Sequence, residues 1–474
     1  MKPHLLLLLL FTITRLANLT LLPIFIDEAN YLDWGWREIH SPNHLFYSLY
    51  DSKPPGIMWL YGLAQSVVSD PLLAGRLVTV FFGLLTTIGL YLISGPLAAS
   101  LYTLVPIFVF FDRQALMETP LAAAGVWIYI LTLRLQKLPT LKNALLLGFV
   151  LGASLLIKTN AILFALPIPF LLFSRQNLVR YWTLLIFALL GFLIAALPLF
   201  FQAQFWSTLS SNSRYSFTLS ELLHFPILHW INNLWSYLQI SLWHLTPLIL
   251  ITAIIGLRKS PKSLILYSLT PIALTILLSR SPTPRYIVSF LPFLLIPAAQ
   301  FLSSHRKLLY SSLGICSLVI GIFIFSPPSY FRLYARLTPY SEIGYLEGDN
   351  SGYQVQADLV YLKTLKPPAI VALALNSGNP EAALMNYLRP WPGFVVSYLD
   401  SSLLNIDFSQ ADCVSSSTPL YFVARRDQQA GLEKFFVLVT TIKNPYNQDF
   451  NNIYTLRSDC PPEKTLNLTL SLNK

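Results

Sequence analysis

The chain has 474 residues, of which 54% are hydrophobic and only 11% are charged. Because a soluble globular protein carries about 25% charged residues, this composition excludes a cytosolic enzyme, a disordered chain and a small disulfide-rich secreted module. The net charge of +10 and the mean hydropathy of +0.56 fit a membrane protein whose basic residues face the cytoplasm, and not a nucleic-acid-binding protein.

Long apolar runs occupy most of the chain before residue 327. A helix that crosses a bilayer needs about 20 largely apolar residues, which predicts about eleven transmembrane helices here. The qualifying runs lie near residues 4–25, 72–95, 98–111, 119–133, 143–157, 161–173, 181–201, 230–257, 263–279, 286–304 and 308–326. The first run resembles a signal peptide but lacks an A-x-A cleavage site, so we expect an uncleaved first helix.

The charged residues predict the orientation. If the N-terminus is cytoplasmic, the charged segments on that side contain only Lys and Arg, and no acid occurs between residues 119 and 220 or between 222 and 341. Lys and Arg in short loops set the orientation of membrane proteins. We therefore predict a multi-pass cell-membrane protein with a cytoplasmic N-terminus, whose C-terminal domain lies outside the cytoplasm.

The composition changes after Phe325, since the rest of the chain mixes acids with bases and has no run long enough to span a bilayer. We predict a polytopic α-helical membrane domain over residues 1–326 and a small extracytoplasmic α/β domain over residues 327–474. Alternating or short apolar runs predict strands, and a longer periodic run predicts a helix. The predicted strands are Ala369–Leu375, Phe394–Leu399, Leu420–Ala424 and Phe435–Thr440, and the predicted helix is Glu381–Leu388.

The chain contains three cysteines. Cys316 lies in the last apolar run and is an ordinary apolar core residue in its simplest interpretation. Cys413 precedes one predicted strand and Cys460 follows another. In an oxidising compartment these two form either a disulfide or two free thiols.

Ionisable residues at the ends of predicted helices are informative in a membrane protein with so few charges. The first external loop, residues 26–55, begins with Asp27 and Glu28 and also carries Lys53 among several aromatic residues. A carboxylate in a partly desolvated cleft can take a proton from a hydroxyl nucleophile, and a neighbouring acid or lysine tunes its pKa. The alternative is an interfacial loop with an aromatic belt.

Three further external segments carry charges that suit a reaction on a phosphate-linked substrate. Glu118 stands at a predicted helix N-terminus, where the helix dipole favours an acid even without a function. Lys158 lies where two short apolar runs meet. If Lys158 has no function, its side chain simply extends to the membrane surface. Arg280 and Arg285 either anchor the interface or bind phosphate. An acid for a hydroxyl and a cationic clamp for a phosphate are what sugar transfer from a phosphate-linked lipid requires.

Several segments in chain order resemble the GT-C superfamily of integral membrane glycosyltransferases, in its protein mannosyltransferase and lipid A aminoarabinose transferase branch. The matching segments are Ile26-Asp27-Glu28-Ala29-Asn30-Tyr31, Lys53-Pro54-Pro55, Arg113-Gln114-Ala115-Leu116-Met117-Glu118, Leu156-Ile157-Lys158 and Pro284-Arg285-Tyr286-Ile287. The resemblance covers essentially the whole chain. Ser52 departs from the aminoarabinose enzymes, which have an acid before the lysine, and this weakens an inference to that sugar.

The resemblance implies a GT-C fold and an inverting transfer from a polyprenyl monophosphate sugar to a hydroxyl of a glycan, lipid or protein. It implies Asp27 as the general base, Glu28 as its support or an acceptor ligand, and Glu118 as the second-loop acid. Lys53, Arg285 and Lys158 would bind the phosphate of the departing lipid.

Metal use stays open at this point. Related oligosaccharyltransferases bind a divalent metal through loop acids, whereas protein mannosyltransferases are not thought to need one. His40 and His44 have a spacing that fits a metal site, and they are otherwise ordinary loop histidines.

Two other functions compete with glycosyl transfer. A transporter or flippase of lipid-linked sugars often shows internal repeats and ionisable residues at the membrane midplane, and this sequence shows neither. The other alternative is an inert scaffold whose C-terminal domain recognises glycan or protein. Acceptor choice in a transferase would depend on the external domain and on the loop 202–229 with Arg214, Tyr215 and Glu221, because loops on a rigid frame carry specificity.

Overall fold

The computed structural model describes residues 3–172, 178–348, 350–374, 378–399, 413–415, 418–428, 436–457 and 465–467. The chain divides into two compact units. The first unit comprises Met1–Leu19, Trp34–Ala64 and Gly75–Ser341, and the second comprises Thr20–Asp33, Gln65–Ala74 and Glu342–Lys474. Three helices contribute residues to both units: Ile26–His40, Gly56–Gln65 and Pro71–Ser94.

In the part of the chain before residue 342, the described elements are helices, and an isolated β-bridge joins Ser216 to Ser279. The first ten helices are α1 (Pro3–Leu16), α2 (Ile26–His40), α3 (Gly56–Gln65), α4 (Pro71–Ser94), α5 (Pro96–Leu104), α6 (Pro106–Asp112), α7 (Glu118–Lys137), α8 (Leu141–Ile157), α9 (Ile168–Leu172) and α10 (Leu178–Phe200). The next nine are α11 (Ala203–Ser211), α12 (Leu219–Leu223), α13 (Ile227–His244), α14 (Pro247–Leu257), α15 (Lys262–Leu278), α16 (Pro284–Ile287), α17 (Leu295–Ser303), α18 (Arg306–Phe325) and α19 (Pro327–Leu337). Short 3₁₀ turns lie at Tyr47–Asp51, Thr159–Phe164, Asn212–Arg214 and Leu291–Leu294.

Among the described residues, three helical stretches are long and apolar enough to cross a membrane: α4, Val179–Phe200 within α10, and α18. Helices α13 and α14 pass the same test together, although they are bent by 114°. The predicted architecture of several apolar helices followed by a small C-terminal sheet is confirmed. The count of eleven spans stays a prediction.

Several of the predicted apolar runs are broken or end earlier than expected, as two examples show. We expected one helix through residue 25, but α1 ends at Leu16 and Asn18 adopts a left-handed conformation with φ 52°. The Arg113 guanidinium donates to the Ala17 carbonyl at 2.8 Å and to the Asn18 carbonyl at 2.8 Å, which satisfies acceptors that a helix end leaves open. The run 230–257 breaks before Pro247, which has no amide proton to continue a helix.

A buried ion pair joins the first helices of this unit. The Arg15 side chain is fully buried, and its Nη2 lies 2.9 Å from Oδ2 of Asp112. The other Asp112 oxygen accepts hydrogen bonds from the Tyr102 hydroxyl at 2.8 Å and the Thr119 hydroxyl at 2.9 Å. This carboxylate therefore connects α1, α5, α6 and α7. Removing one partner of such a pair typically costs about 3–5 kcal/mol, since the other charge stays buried.

The second unit contains a five-stranded sheet in the order β2-β1-β4-β6-β5, and β3 pairs with β7 in a separate two-stranded sheet. The strands are β1 (Ala369–Ala374), β2 (Phe394–Leu399), β3 (Cys413–Ser415), β4 (Leu420–Arg425), β5 (Phe436–Lys443), β6 (Phe450–Leu456) and β7 (Thr465–Asn467), and the helices are α20 (Tyr353–Leu362) and α21 (Glu381–Leu388). Strand β1 pairs in parallel with β2 and β4, and every residue of β1 is buried. A strand covered on both faces needs such a continuous apolar sequence.

The prediction of α21 and of four strands in this unit is confirmed, with differences of at most a few residues at the ends. Helix α20 and strands β3, β6 and β7 are additions that the sequence did not predict. Cys316 is buried and has a free thiol. Cys460 lies outside the described residues. The choice between a Cys413–Cys460 disulfide and two free thiols therefore stays a prediction.

Candidate active site

Glu118 is the first residue of α7, close to the partial positive charge at the helix N-terminus. Pro120 fits the same turn, because the first amide groups of a helix have no partner within it. The Ser289 hydroxyl donates to the Glu118 backbone carbonyl at 2.8 Å. The neighbouring Thr119 hydroxyl is bonded to the buried Asp112 carboxylate. The Glu118 side chain therefore projects from a turn that is fixed on two sides.

Two predicted cations meet on this one carboxylate. Lys158 Nζ lies 2.9 Å from Oε1 of Glu118, and Arg285 Nε lies 3.1 Å from the same oxygen. The Glu118 side chain is 1% exposed, whereas Lys158 and Arg285 are 18% and 21% exposed. Oε2 of Glu118 is buried and has no hydrogen-bond partner among the described residues. Two positive charges around one negative charge leave a net positive site with one unsatisfied carboxylate oxygen.

Lys53 lies next to this group through a close contact between two backbones. A Cβ placed on Gly56 would come within 2.8 Å of the Leu156 carbonyl oxygen, so only glycine allows α3 to begin this close to the end of α8. Lys158 follows directly after α8, and the charge of Lys53 acts on it. Lys53 Nζ also lies 3.9 Å from Oδ2 of Asp51, a pair in which both side chains are partly exposed.

The predicted specificity loop reaches the same place. Lys53 Nζ lies 5.6 Å from the ring centroid of Tyr215, and the Arg214 guanidinium also lies 5.6 Å from that centroid. Both contacts have the geometry of cation–π interactions. Tyr215 is therefore a residue that the sequence placed only in a long loop and that the structure brings to Lys53.

Arg280 and Arg285 bind different acids. Arg280 Nη2 donates to both carboxylate oxygens of Glu221 at 2.6 Å. Its Nε donates to the Ser213 carbonyl at 2.7 Å, so Arg280 attaches the loop 202–229 to the segment before α16. Of the two arginines, Arg285 is the one that contacts Glu118. Lys53, Lys158 and Arg285 together form a cation cluster.

Asp27 and Glu28 belong to the second unit and occupy the first turn of α2. We expected a loop here, and the structure has a helix. Glu28 is fully buried, and its Oε2 accepts the Phe25 amide proton at 3.0 Å, as in a helix-capping arrangement. Asp27 is half-buried. The Asn350 carbonyl accepts the Ile26 amide proton at 3.1 Å, so residues after 341 hold the turn that carries Asp27.

The two histidines of the first external segment contact aromatic rings. The His40 ring stacks on Trp36 with centroids 4.6 Å apart, and its Nδ1 lies 2.9 Å from the Trp36 carbonyl. The His44 ring packs edge-on against Tyr47 at 5.6 Å. Among the residues with described positions, no three His, Cys, Asp or Glu side chains are close enough to hold a metal ion. A divalent metal in the reaction stays a prediction.

Known proteins share this fold and part of this sequence. Residues 52–201, less than half of the chain, match the family model described as dolichyl-phosphate-mannose-protein mannosyltransferase. The structure of ArnT from Cupriavidus metallidurans bound to undecaprenyl phosphate is similar, with a TM-score of 0.64 and 14% sequence identity over 96% of this chain and 98% of that chain. Its apo structure is similar with a TM-score of 0.61 and 13% identity over 96% and 97%.

A third structure is more distant. The Archaeoglobus fulgidus oligosaccharyltransferase in complex with zinc and sulfate matches with a TM-score of 0.43 and 15% identity over 81% of this chain and 61% of that chain, which is too low to support an argument. No curated protein matches the sequence significantly. The resemblance that the sequence predicts is confirmed, and the chain has the same fold as ArnT.

Proposed function

We propose that this protein is a glycosyltransferase that transfers a sugar from a polyprenyl monophosphate to an acceptor hydroxyl outside the cytoplasm. The observation that supports this most directly is the convergence of Lys158 and Arg285 on the buried Glu118. Lys53 adds a third positive charge nearby. The family model and the ArnT structure both name a polyprenyl phosphate, dolichyl phosphate in one and undecaprenyl phosphate in the other. A cluster of cations suits that headgroup.

The cation cluster would act on the leaving group. When the acceptor oxygen attacks the anomeric carbon, the bond from that carbon to the phosphate oxygen breaks, and its electron pair stays on the lipid phosphate. Lys and Arg side chains bind phosphate through charge-assisted hydrogen bonds. Because the negative charge grows as the bond breaks, cations already in place stabilise the transition state more than the bound donor.

Glu118 would keep these cations in position. A carboxylate that holds Lys158 and Arg285 through one oxygen orients both side chains before the donor arrives. Pre-oriented charges need no reorganisation during the reaction, which is the main advantage of an enzyme site over water. Glu118 would thus act at the phosphate end of the reaction.

Asp27 would accept the proton of the attacking hydroxyl, with Glu28 stabilising the same helix turn. The assignment comes from the resemblance in the Asp27–Tyr31 segment and is supported by the half-buried position of Asp27 in the first turn of α2. Single displacement by a hydroxyl at the anomeric carbon inverts its configuration, which we propose here as well.

The acceptor would be a glycan, a lipid or a protein. Arg214 and Tyr215 extend the cation cluster toward the loop 202–229, which makes this loop the best candidate for acceptor choice. The proposed orientation keeps the N-terminus in the cytoplasm and the C-terminal domain outside it.

The test is mass spectrometry of lipids and surface glycans from cells that carry the wild-type gene, Asp27→Asn or no gene. We expect Asp27→Asn to lower product formation at least about 100-fold, as for loss of a general base, while lipid-linked sugar accumulates at equal protein levels. The matched control is Asp70→Asn, because Asp70 is exposed and caps α4 by accepting the Leu73 amide proton at 2.8 Å.

Two results would contradict the proposal. Product formation by Asp27→Asn at the wild-type rate would remove Asp27 as the base. Translocation of lipid-linked sugar without any new glycosidic bond would instead establish a transporter.

A further inference from the structure

Glu38 is a buried acid that the proposed reaction does not use. The residue is 2% exposed, and its Oε1 accepts the Ser48 amide proton at 2.8 Å. Its Oε2 is buried without a hydrogen-bond partner among the described residues. Burial raises the pKa of Glu38 to about 8, and the hydrogen bonds from Ser48 only partly oppose this. Glu38 is therefore mostly neutral at neutral pH and serves as a hydrogen-bond acceptor.

Ser48 connects Glu38 to Lys53 through hydrogen bonds. The Ser48 hydroxyl donates to the Lys53 carbonyl at 2.9 Å, and the Lys53 amide donates to the Ser48 carbonyl at 3.2 Å. These two bonds close the turn Tyr47–Asp51 into a ring, with Ser52 in the left-handed conformation at φ 62°. Glu38 binds this ring through the Ser48 amide and thereby attaches it to α2.

The ring is anchored on two more sides. Helices α2 and α3, which flank it in sequence, touch at the backbone, since a Cβ on Gly62 would lie 2.0 Å from the Gly35 carbonyl oxygen. Leu49 of the turn is 2% exposed and belongs to an apolar cluster with Leu155 of α8 and Leu199 of α10. The backbone of Lys53 is thus fixed, while its ammonium group is partly exposed beside Lys158.

We propose that Glu38 is a positioning residue for donor binding, because it holds the Ser48–Lys53 ring in the shape that presents the Lys53 ammonium to the lipid phosphate. The inference rests on the proposed function of the cation cluster. For this role, residue 38 needs a side chain of the length of glutamate that ends in a hydrogen-bond acceptor. The negative charge of a carboxylate is not required. Glutamine at position 38 therefore replaces Glu38, whereas alanine does not.

The experiment measures the Kd of undecaprenyl phosphate for the full-length protein in lipid nanodiscs, together with the melting temperature of each variant. Lys53→Met and Glu38→Ala are expected to raise the Kd about tenfold, and Glu38→Gln is expected to restore binding to within about twofold of wild type. Ser48→Ala removes the hydroxyl bond to Lys53 and the hydroxyl's interaction with Glu38, keeps the backbone bond to Glu38, and should raise the Kd about threefold. A purely structural role would lower the melting temperature without changing the Kd of the folded fraction.

The two proposals fail in different ways. If Lys53→Met and Arg285→Met bind undecaprenyl phosphate as the wild type does, the proposed function of the cluster is wrong. If Lys53→Met weakens binding and folded Glu38→Ala does not, the role of Glu38 is overturned. If Glu38→Ala does not fold, Ser48→Ala decides: an unchanged Kd overturns the role, and a raised Kd supports it.

Discussion

The first unit contains two buried carboxylates paired with arginine, and they differ in how completely they are satisfied. Asp112 receives two bonds from Arg15 and one each from Tyr102 and Thr119, and the pair is sealed from solvent. Glu118 uses one oxygen for both of its cations and leaves the other without a partner among the described residues. A complete set of bonds is typical of a structural pair, whereas an incomplete one beside partly exposed cations is typical of a binding site.

The largest effect should follow from breaking the structural pair. We expect Arg15→Met to destabilise the protein by about 3–5 kcal/mol, because Asp112 stays buried without its counter-charge. Thermal unfolding in a mild detergent measures this, and the yield of monodisperse protein provides a second readout. The double variant Arg15→Met with Asp112→Leu should recover most of the loss. Wild-type stability of Arg15→Met would mean that the pair contributes nothing to the fold.

Removing a cation from the cluster should affect the reaction and leave the fold intact. We expect Arg285→Met to lower transfer about 100-fold, the usual scale for one group that stabilises developing charge. Lys158 still pairs with Glu118 in this variant, so the melting temperature should stay close to that of the wild type. Arg180→Met is the matched control, since Arg180 is exposed and donates to the Pro139 carbonyl at 2.8 Å, away from Glu118. Equal losses in both variants would contradict the separate roles of the two arginines.

The smallest effect is expected at the exposed pair of the loop 202–229. Hydrogen bonds from the Thr218 backbone and hydroxyl, together with Arg280, lower the pKa of Glu221 to about 2. The folded state thus favours the ionised form of Glu221, and this ionised form stabilises the fold. The stabilisation is fully present above about pH 4.5 and is lost as the pH falls toward 2. At pH 7, Glu221→Gln should shift the melting temperature by no more than about 2 °C, as an exposed ion pair contributes little.

The same variant tests the sign of this pH dependence. The difference in melting temperature between pH 7 and pH 3 should be smaller in Glu221→Gln than in the wild type, because glutamine does not titrate. A larger difference in the variant would mean that another group controls the loop at low pH.

The helices and much of the site can be predicted from the sequence because polar groups are costly in a bilayer. In a bilayer protein, apolar runs must be helical and charges are costly, so Glu118, Lys158 and Arg285 are conspicuous in the amino-acid sequence alone. Their meeting on one carboxylate depends on how distant helices pack, which no local pattern encodes.

The features that the sequence did not predict depend on buried polar contacts. Strand β6 contains Asn451 and Asn452, which look like turn residues, but both are buried, and Asn451 donates to the buried Asp358 carboxylate at 2.6 Å. Glu38 looks like any surface acid of an external loop. Its role follows only from the approach of Gly35 to Gly62, which brings α2 and α3 together on either side of the turn that contains Ser48.

The most direct measurement is an experimental structure of the full-length protein with undecaprenyl phosphate, determined in a lipid nanodisc. We expect phosphate density within about 3 Å of Lys158 Nζ and of the Arg285 guanidinium, the usual length of a charge-assisted hydrogen bond. Lys53 should complete the site from the ring that Glu38 holds. Phosphate bound elsewhere, with both cations still paired only to Glu118, would contradict the proposed donor site.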